Sequence, residues 1–135
     1  MSSNREPSAS FETHAQAEVI ENMTLRDIDQ LPFGVIRLDE EGRVTLHSKR
    51  EKELSGFGGR AVLGRDFFAQ IAPCMNNPRF RGRIDAMKAR GMVDVKFVHT
   101  GDFDDPTKTV EVRAQSASDG GLWLFMHRGG LIAPM

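Results

Sequence analysis

Gly34-Val-Ile-Arg-Leu38, Asp39-Glu-Glu-Gly42 and Arg43-Val-Thr-Leu-His47 follow one another without interruption, and this stretch decides the fold. Two runs rich in β-branched and aliphatic residues flank a polar connection in which Gly42 can take the positive φ that closes a short loop. The chain therefore turns back on itself as two antiparallel strands. Upstream, Val19, Ile20, Met23, Leu25 and Ile28 recur at mixed helical spacing, which predicts one or two short helices between Glu18 and Ile28 before Pro32 interrupts. These form an N-terminal cap. Residues 1–17 are dominated by Ser, Asn, Glu and Pro and have too little apolar surface to offset ordering entropy, so they read as a loose tail.

Downstream of the hairpin, Ser48 to Leu54 is polar and short, and Ser55-Gly-Phe-Gly-Gly59 reads as a loop. Asp66-Phe-Phe-Ala-Gln-Ile71 predicts a turn or two of helix that Pro73 ends. Asn77-Pro78 is an N-cap followed by proline at the first helical position, and Phe80, Ile84 and Met87 then line one face of a longer helix until Gly91 stops it. Val93, Val95 and Phe97 alternate with polar residues, as do Val110, Val112 and Ala114, and Leu122 to Met126 is a continuous apolar run. Gly, Asp, Pro and Ser at 100–106 and 116–121 supply the connections. The expected architecture is α+β: a five-stranded antiparallel sheet with helices packed on one side, an N-terminal helical cap, and a cavity between sheet and helices. The folded unit is expected over 18–128, with 129–135 as a C-terminal tail.

At 135 residues the chain is long enough to bury one core unaided. Its 18 Lys and Arg against 19 Asp and Glu give a net charge of -1, which leaves no broad positive field for nucleic acid or an anionic membrane. No apolar run approaches the roughly 18 residues of a membrane span, and the opening residues lack the apolar centre of a secretory signal, so the cytoplasm is the expected compartment. The single cysteine, Cys74, cannot form a disulfide within the chain and is either buried filler or functional.

From Leu31 to Arg128 a series of landmarks runs in order: Phe33-Gly34, Leu38-Asp39, Gly42, Val62-Leu-Gly64, Phe67-Phe68, Ala72-Pro-Cys74, Pro78, Phe80, Pro106-Thr-Lys108, Trp123 and Phe125. In order and spacing this series resembles the photoactive yellow protein family, small PAS-fold blue-light receptors that carry p-coumaric acid as a thioester. What the resemblance implies is specific. Cys74 falls on the chromophore-bearing cysteine, Glu51 on the buried acid that hydrogen-bonds the phenolic oxygen, and Ser55 on a supporting threonine. Ile36, Ala72 and Phe103 complete the implied pocket contacts. Two positions depart from the pattern: His47 stands at the phenol-binding tyrosine in a chain with no tyrosine, and Phe57 stands at the arginine that covers the pocket. The loop carrying Gly101 and Phe103 is also one residue shorter before Pro106.

Each candidate also has a plainer reading. A free cysteine is often a small buried hydrophobe, although Cys74, after Pro73 and shortly before the Asn77 helix start, stands where a helix dipole would favour a thiolate. Glu51 lies in Lys49-Arg-Glu-Lys-Glu53, which normally reads as a solvated helix face; pointing inward, it would instead be held neutral by desolvation and act as a donor. His47 reads as a surface or structural histidine unless it donates to an anionic ring oxygen. Ser55 reads as a loop hydroxyl. A dyad or metal site built on Cys74 with His47 or His99 lacks an orienting third residue and close ligand spacing. The sequence thus predicts a non-enzymatic photoreceptor signalling to a separate downstream protein. The alternative is a non-photoactive PAS module that senses a small ligand or works through protein contacts, as a homodimer for example.

Overall fold

A computed structural model describes residues 16–55, 61–100 and 109–128. The N-terminal segment forms α1 (Gln16–Glu21) and α2 (Leu25–Asp29), and the Thr24 side chain caps α2 by accepting from the Asp27 N–H at 3.1 Å. The hairpin follows as β1 (Gly34–Leu38) and β2 (Val44–His47). Its turn closes through the Asp39 carboxylate, which accepts from the backbone of Arg43 at 3.0 Å and of Glu41 at 2.9 Å, while Gly42 takes a φ of 87°. Those bonds, led by the one from Arg43, hold the Asp39 carboxyl below its ordinary value.

Lys49–Ser55 is a helix, α3, where the sequence reading had only a short polar segment. The signal for it was present: Ser48-Lys-Arg-Glu51 has the spacing of a capping box, and the Ser48 hydroxyl accepts from the Glu51 N–H at 3.3 Å. Phe67–Ile71 is the expected helical turn, wound wide so that the Ala72 N–H reaches the Phe67 carbonyl at 2.7 Å. A tight turn, Pro73–Met75, precedes the Asn77 cap, whose side chain accepts from the Phe80 N–H at 2.9 Å. The helix that Asn77 opens starts as another wide turn, Pro78–Gly82, and continues as α4 (Arg83–Ala89). Gly91 then takes a φ of 98°. The strands β3 (Asp94–Thr100), β4 (Thr109–Ser116) and β5 (Leu122–Arg128) complete a five-stranded antiparallel sheet in the order β2-β1-β5-β4-β3.

Strand alternation divides the core between the two faces of this sheet. Ile36, Leu38, Val112, Ala114, Leu124 and Met126 face Phe67, Phe68, Ile71, Phe80 and Ile84 on the side of the wide turns and α4. Phe33, Val35, Trp123 and Phe125 face Ala17, Ile20, Ile28 and Leu31, so the N-terminal cap covers the opposite side. A charged joint helps to fasten that cap, beside the bond from the Ala17 N–H to the Gln115 side chain at 2.7 Å. The Glu21 carboxylate accepts from the Trp123 indole at 2.8 Å and the Ser118 N–H at 3.0 Å, and lies 3.5 Å from the Arg37 guanidinium. Arg37 in turn stacks 4.7 Å above the Trp123 ring and pairs with Asp119 at 3.3 Å. Among the described residues no helix is long and apolar enough to cross a membrane.

Partial burial pushes the Glu21 carboxyl upward, but the bonds from Trp123 and Ser118 and the charge of Arg37 outweigh it and hold the group below its ordinary value of 4.5. A depressed carboxyl stabilises the fold fully above its unfolded value, and that contribution is lost as pH falls through the folded-state value. Glu21→Gln keeps the shape and removes the charge, so it is expected to cost on the order of 1 kcal/mol at neutral pH, with solvent screening limiting the effect. Thermal denaturation of parent and variant should converge as the solution is acidified below the ordinary carboxylate range. A gap that stays constant with pH would show that the Glu21 charge does not hold the joint.

Candidate functional site

The junction between β2 and α3 places the first group of candidate residues. β1 and β2 pair with Ile36 opposite His47 and Arg37 opposite Leu46, and then slip so that Leu38 lies opposite Val44. Thr45 is the extra residue of this bulge, and its hydroxyl donates to the Arg37 carbonyl at 3.2 Å. Because side chains alternate along a strand, the slip brings His47 to the same face as Val44, with Ile36 beside it, on the side of the main core. His47 is 6% exposed and Ile36 1%. The surface reading of His47 is overturned.

Ser48, fully buried, clasps β1 from the next position. Its N–H donates to the Val35 carbonyl at 2.9 Å and its hydroxyl accepts from the Val35 N–H at 3.0 Å. In an ordinary capping box the glutamate in the third helical position would reach back to the cap residue's N–H. Here Val35 already takes that N–H, and Glu51 turns inward to 2% exposure. Its Oε1 occupies the space that a side chain at Gly34 would fill, and a Cβ built there overlaps it. Gly34 shares a face with Ile36 and Leu38, so the Glu51 carboxyl lies against β1 on the main-core side. The solvated-helix reading of Glu51 is therefore also overturned. Sequence reasoning missed Ser48 as the residue that aims this helix, and quoted Gly34 without seeing its role.

The second group approaches from the wide turn. Ile71 and Met75 are buried, and Ala72 packs against the core cluster that contains Ile36. Cys74 is exposed between Pro73 and Met75, and its carbonyl accepts from the Asn77 side chain at 2.9 Å. The reading of the cysteine as buried filler fails. The structure thus gathers Ile36, His47 and Glu51 on one face of β1 and β2, brings Ala72 to the same core, and leaves Cys74 accessible at its rim. Ser55 ends α3, but its side chain lies outside the described residues, as do Phe57 and Phe103. Among the described residues no three His, Cys, Asp or Glu side chains cluster to hold a metal ion.

The PAS fold family matches residues 22–129. Photoactive yellow protein of Rhodobacter capsulatus is 33% identical over 113 residues, covering 81% of this chain and 91% of that protein. Photoactive yellow protein of Rhodothalassium salexigens is 38% identical over 103 residues, covering 75% and 82%. The crystal structure of the photoactive yellow protein domain from the sensor histidine kinase Ppr of Rhodospirillum centenum superposes with a TM-score of 0.72 at 33% identity, covering 82% of this chain and 98% of that one. The resemblance read from the landmark residues holds over the folded part. With most of each relative covered at this identity, and the sheet and helices of a PAS domain in place, the chain belongs to the photoactive yellow protein family.

Proposed function

We propose that residues 18–128 form a blue-light-sensing PAS domain, with p-coumaric acid held as a thioester on Cys74. One observation carries the reading: a carboxyl group is buried against Gly34 on the core side of β1, while an accessible thiol stands at the rim of the same core. A phenolic oxygen brought to a carboxyl buried on this face can share a hydrogen bond with it, and a buried acid beside an accessible thiol is the pairing that such a group needs. The bound group supplies visible absorption and a double bond that light isomerises. Attachment forms a bond from Cys74 Sγ to the acyl carbon of an activated p-coumaroyl donor, with loss of the donor's leaving group and release of the thiol proton to solvent.

The remaining steps belong to the chain. In this reading Glu51 holds a proton at a carboxyl oxygen and donates a hydrogen bond toward the ring oxygen. His47, on the same face, offers a ring N–H in place of a phenolic hydroxyl. Ile36 and Ala72 supply apolar wall, and Ser55, Phe57 and Phe103 are the remaining proposed contacts. Transfer of the Glu51 proton to the ring oxygen it bonds leaves a carboxylate beside β1, and the strain of that buried charge loosens elements packed on the strand. The protein then signals to a downstream partner in the cytoplasm and turns over no substrate. A second reading, a PAS module for another ligand or for protein contacts as a homodimer, draws on His47 and Phe57 standing where the family has tyrosine and arginine.

Intact-mass spectrometry after incubation with p-coumaric anhydride should show one added p-coumaroyl group with a visible band, and Cys74→Ser should show neither. Folded parent protein with unchanged mass and no band would favour the second reading. In pigmented protein, light-minus-dark infrared spectra should contain a protonated-carboxyl band that is absent from Glu51→Gln. Persistence of the band in that variant would assign the proton to another residue.

The His47 substitutions test the departure from the family pattern. A neutral His47 offers one N–H, so His47→Tyr should then move the midpoint of the visible pH titration to lower pH by strengthening the donor set around the anion. A cationic His47 holds the anion by charge, and the same substitution should then raise the midpoint. His47→Phe, which removes every donor, should raise it in both cases. Curves for both variants that overlay the parent curve would place His47 outside the chromophore network.

A further inference from the structure

β3 is an edge strand, paired only with β4 among the described strands. The Val93 carbonyl accepts from the Ser116 N–H at 3.0 Å, and bonding to a neighbour alternates along an antiparallel strand. Asp94, Lys96 and Val98 therefore turn their backbone groups toward the open side. A groove of about 630 Å³ runs between this edge and the turn that precedes α4. Its floor is the stacked pair Phe80 and Phe97, with ring centroids 4.1 Å apart, and its walls carry Arg79, Arg83 and Lys96 with no acidic residue among the described lining. Arg79 enters no ion pair among the described residues, and Arg83 lies 5.0 Å above the Phe97 ring. Lys96 pairs with Glu111 at 3.6 Å, and Val98 is 64% exposed at the lip.

We infer that this groove docks an acidic, extended peptide segment of a partner protein, which adds to the edge of β3 as a further strand. Open strand edges recruit main chain by hydrogen bonding, and the side-chain environment beside the edge selects what is recruited. Here the environment is cationic in a chain whose net charge is -1, so the selection is local and favours Asp and Glu on the incoming strand. A second copy of β3 does not fit, because pairing two such edges would bring both sets of arginines together. Nucleic acid fits poorly as well: Phe80 and Phe97 are 5% and 7% exposed and offer no open ring face for base stacking.

The inference does not rest on the chromophore, and its test uses the unpigmented 135-residue chain. The probe is a fluorescein-labelled peptide of alternating Glu or Asp and Val, compared with the same peptide N-methylated at alternate amides, which keeps the charge but cannot pair as a strand. Fluorescence anisotropy should show saturable binding of the first and much weaker binding of the second, and the Val98 amide should exchange more slowly with solvent in the complex. Arg79→Glu with Arg83→Glu, both at exposed positions and checked for an unchanged thermal midpoint, should weaken binding by about tenfold or more. Lys88→Glu, outside the groove lining, should leave binding unchanged. Equal binding of the N-methylated peptide would reduce the groove to a charged surface and overturn strand addition. Absence of saturable binding, preference for oligothymidylate, or dimerisation that Val98→Pro abolishes would each overturn the proposed occupant.

Discussion

A glutamate carboxyl lies buried where one strand has no side chain, and the rest of the site depends on that arrangement. Glu51 fits because position 34 is glycine: the strand runs directly beneath the carboxyl, and a single added carbon would collide with it. Ser48 sets the direction. By spending its backbone N–H on Val35, it withholds the partner that a glutamate three residues into a helix would ordinarily find, and by accepting from the Glu51 N–H it still starts the helix. The bulge at Thr45 belongs to the same construction, because without the one-residue slip His47 would face away from the main core. Glycine, cap and bulge together bring an acid and an imidazole to one side of one strand.

The strand that bears this load also touches the N-terminal cap. Val35 is clasped through both backbone groups by Ser48, while its side chain is fully buried in the cluster formed with α1, α2, Trp123 and Phe125. A rearrangement that pulled on Ser48 would therefore be felt on the far face of the sheet through one residue, with no long relay. Arg37, two positions along the same strand, reaches the joint at Glu21 and Trp123 directly. Such a connection has a physical basis in shared packing and hydrogen bonds, and becomes functional coupling only where the cap has two discrete arrangements.

Elements specified by local chemistry were legible in the sequence. The hairpin was announced by two β-rich runs around Gly42, the α4 region by Asn77-Pro78, and the strands after it by alternation of Val, Phe and Ala. The site itself was only half legible. Lys49-Arg-Glu-Lys-Glu53 reads as a solvated face because four of its five residues are charged neighbours of Glu51, and nothing local says which of them points inward. That choice is made by Gly34, 17 positions upstream, and by a bulge on another strand. The wide turns at Phe67–Ile71 and Pro78–Gly82 were equally hidden, since the sequence marked helix and not winding. Cys74 was placed by its resemblance to a family; only the fold showed it at the surface of the core rather than within it.

The account stands on the thiol of Cys74 and the carboxyl of Glu51 serving one bound group. A crystal structure of p-coumaroyl-loaded protein, grown and measured in the dark, tests this directly. The expected result is a thioester at Cys74 Sγ, with the ring entering the core beside Ala72 and Ile36. Its phenolic oxygen should stand about 2.5–2.7 Å from a Glu51 carboxyl oxygen. A ring lying on the outer surface, or a Glu51 side chain swung away from Gly34 toward solvent, would contradict it.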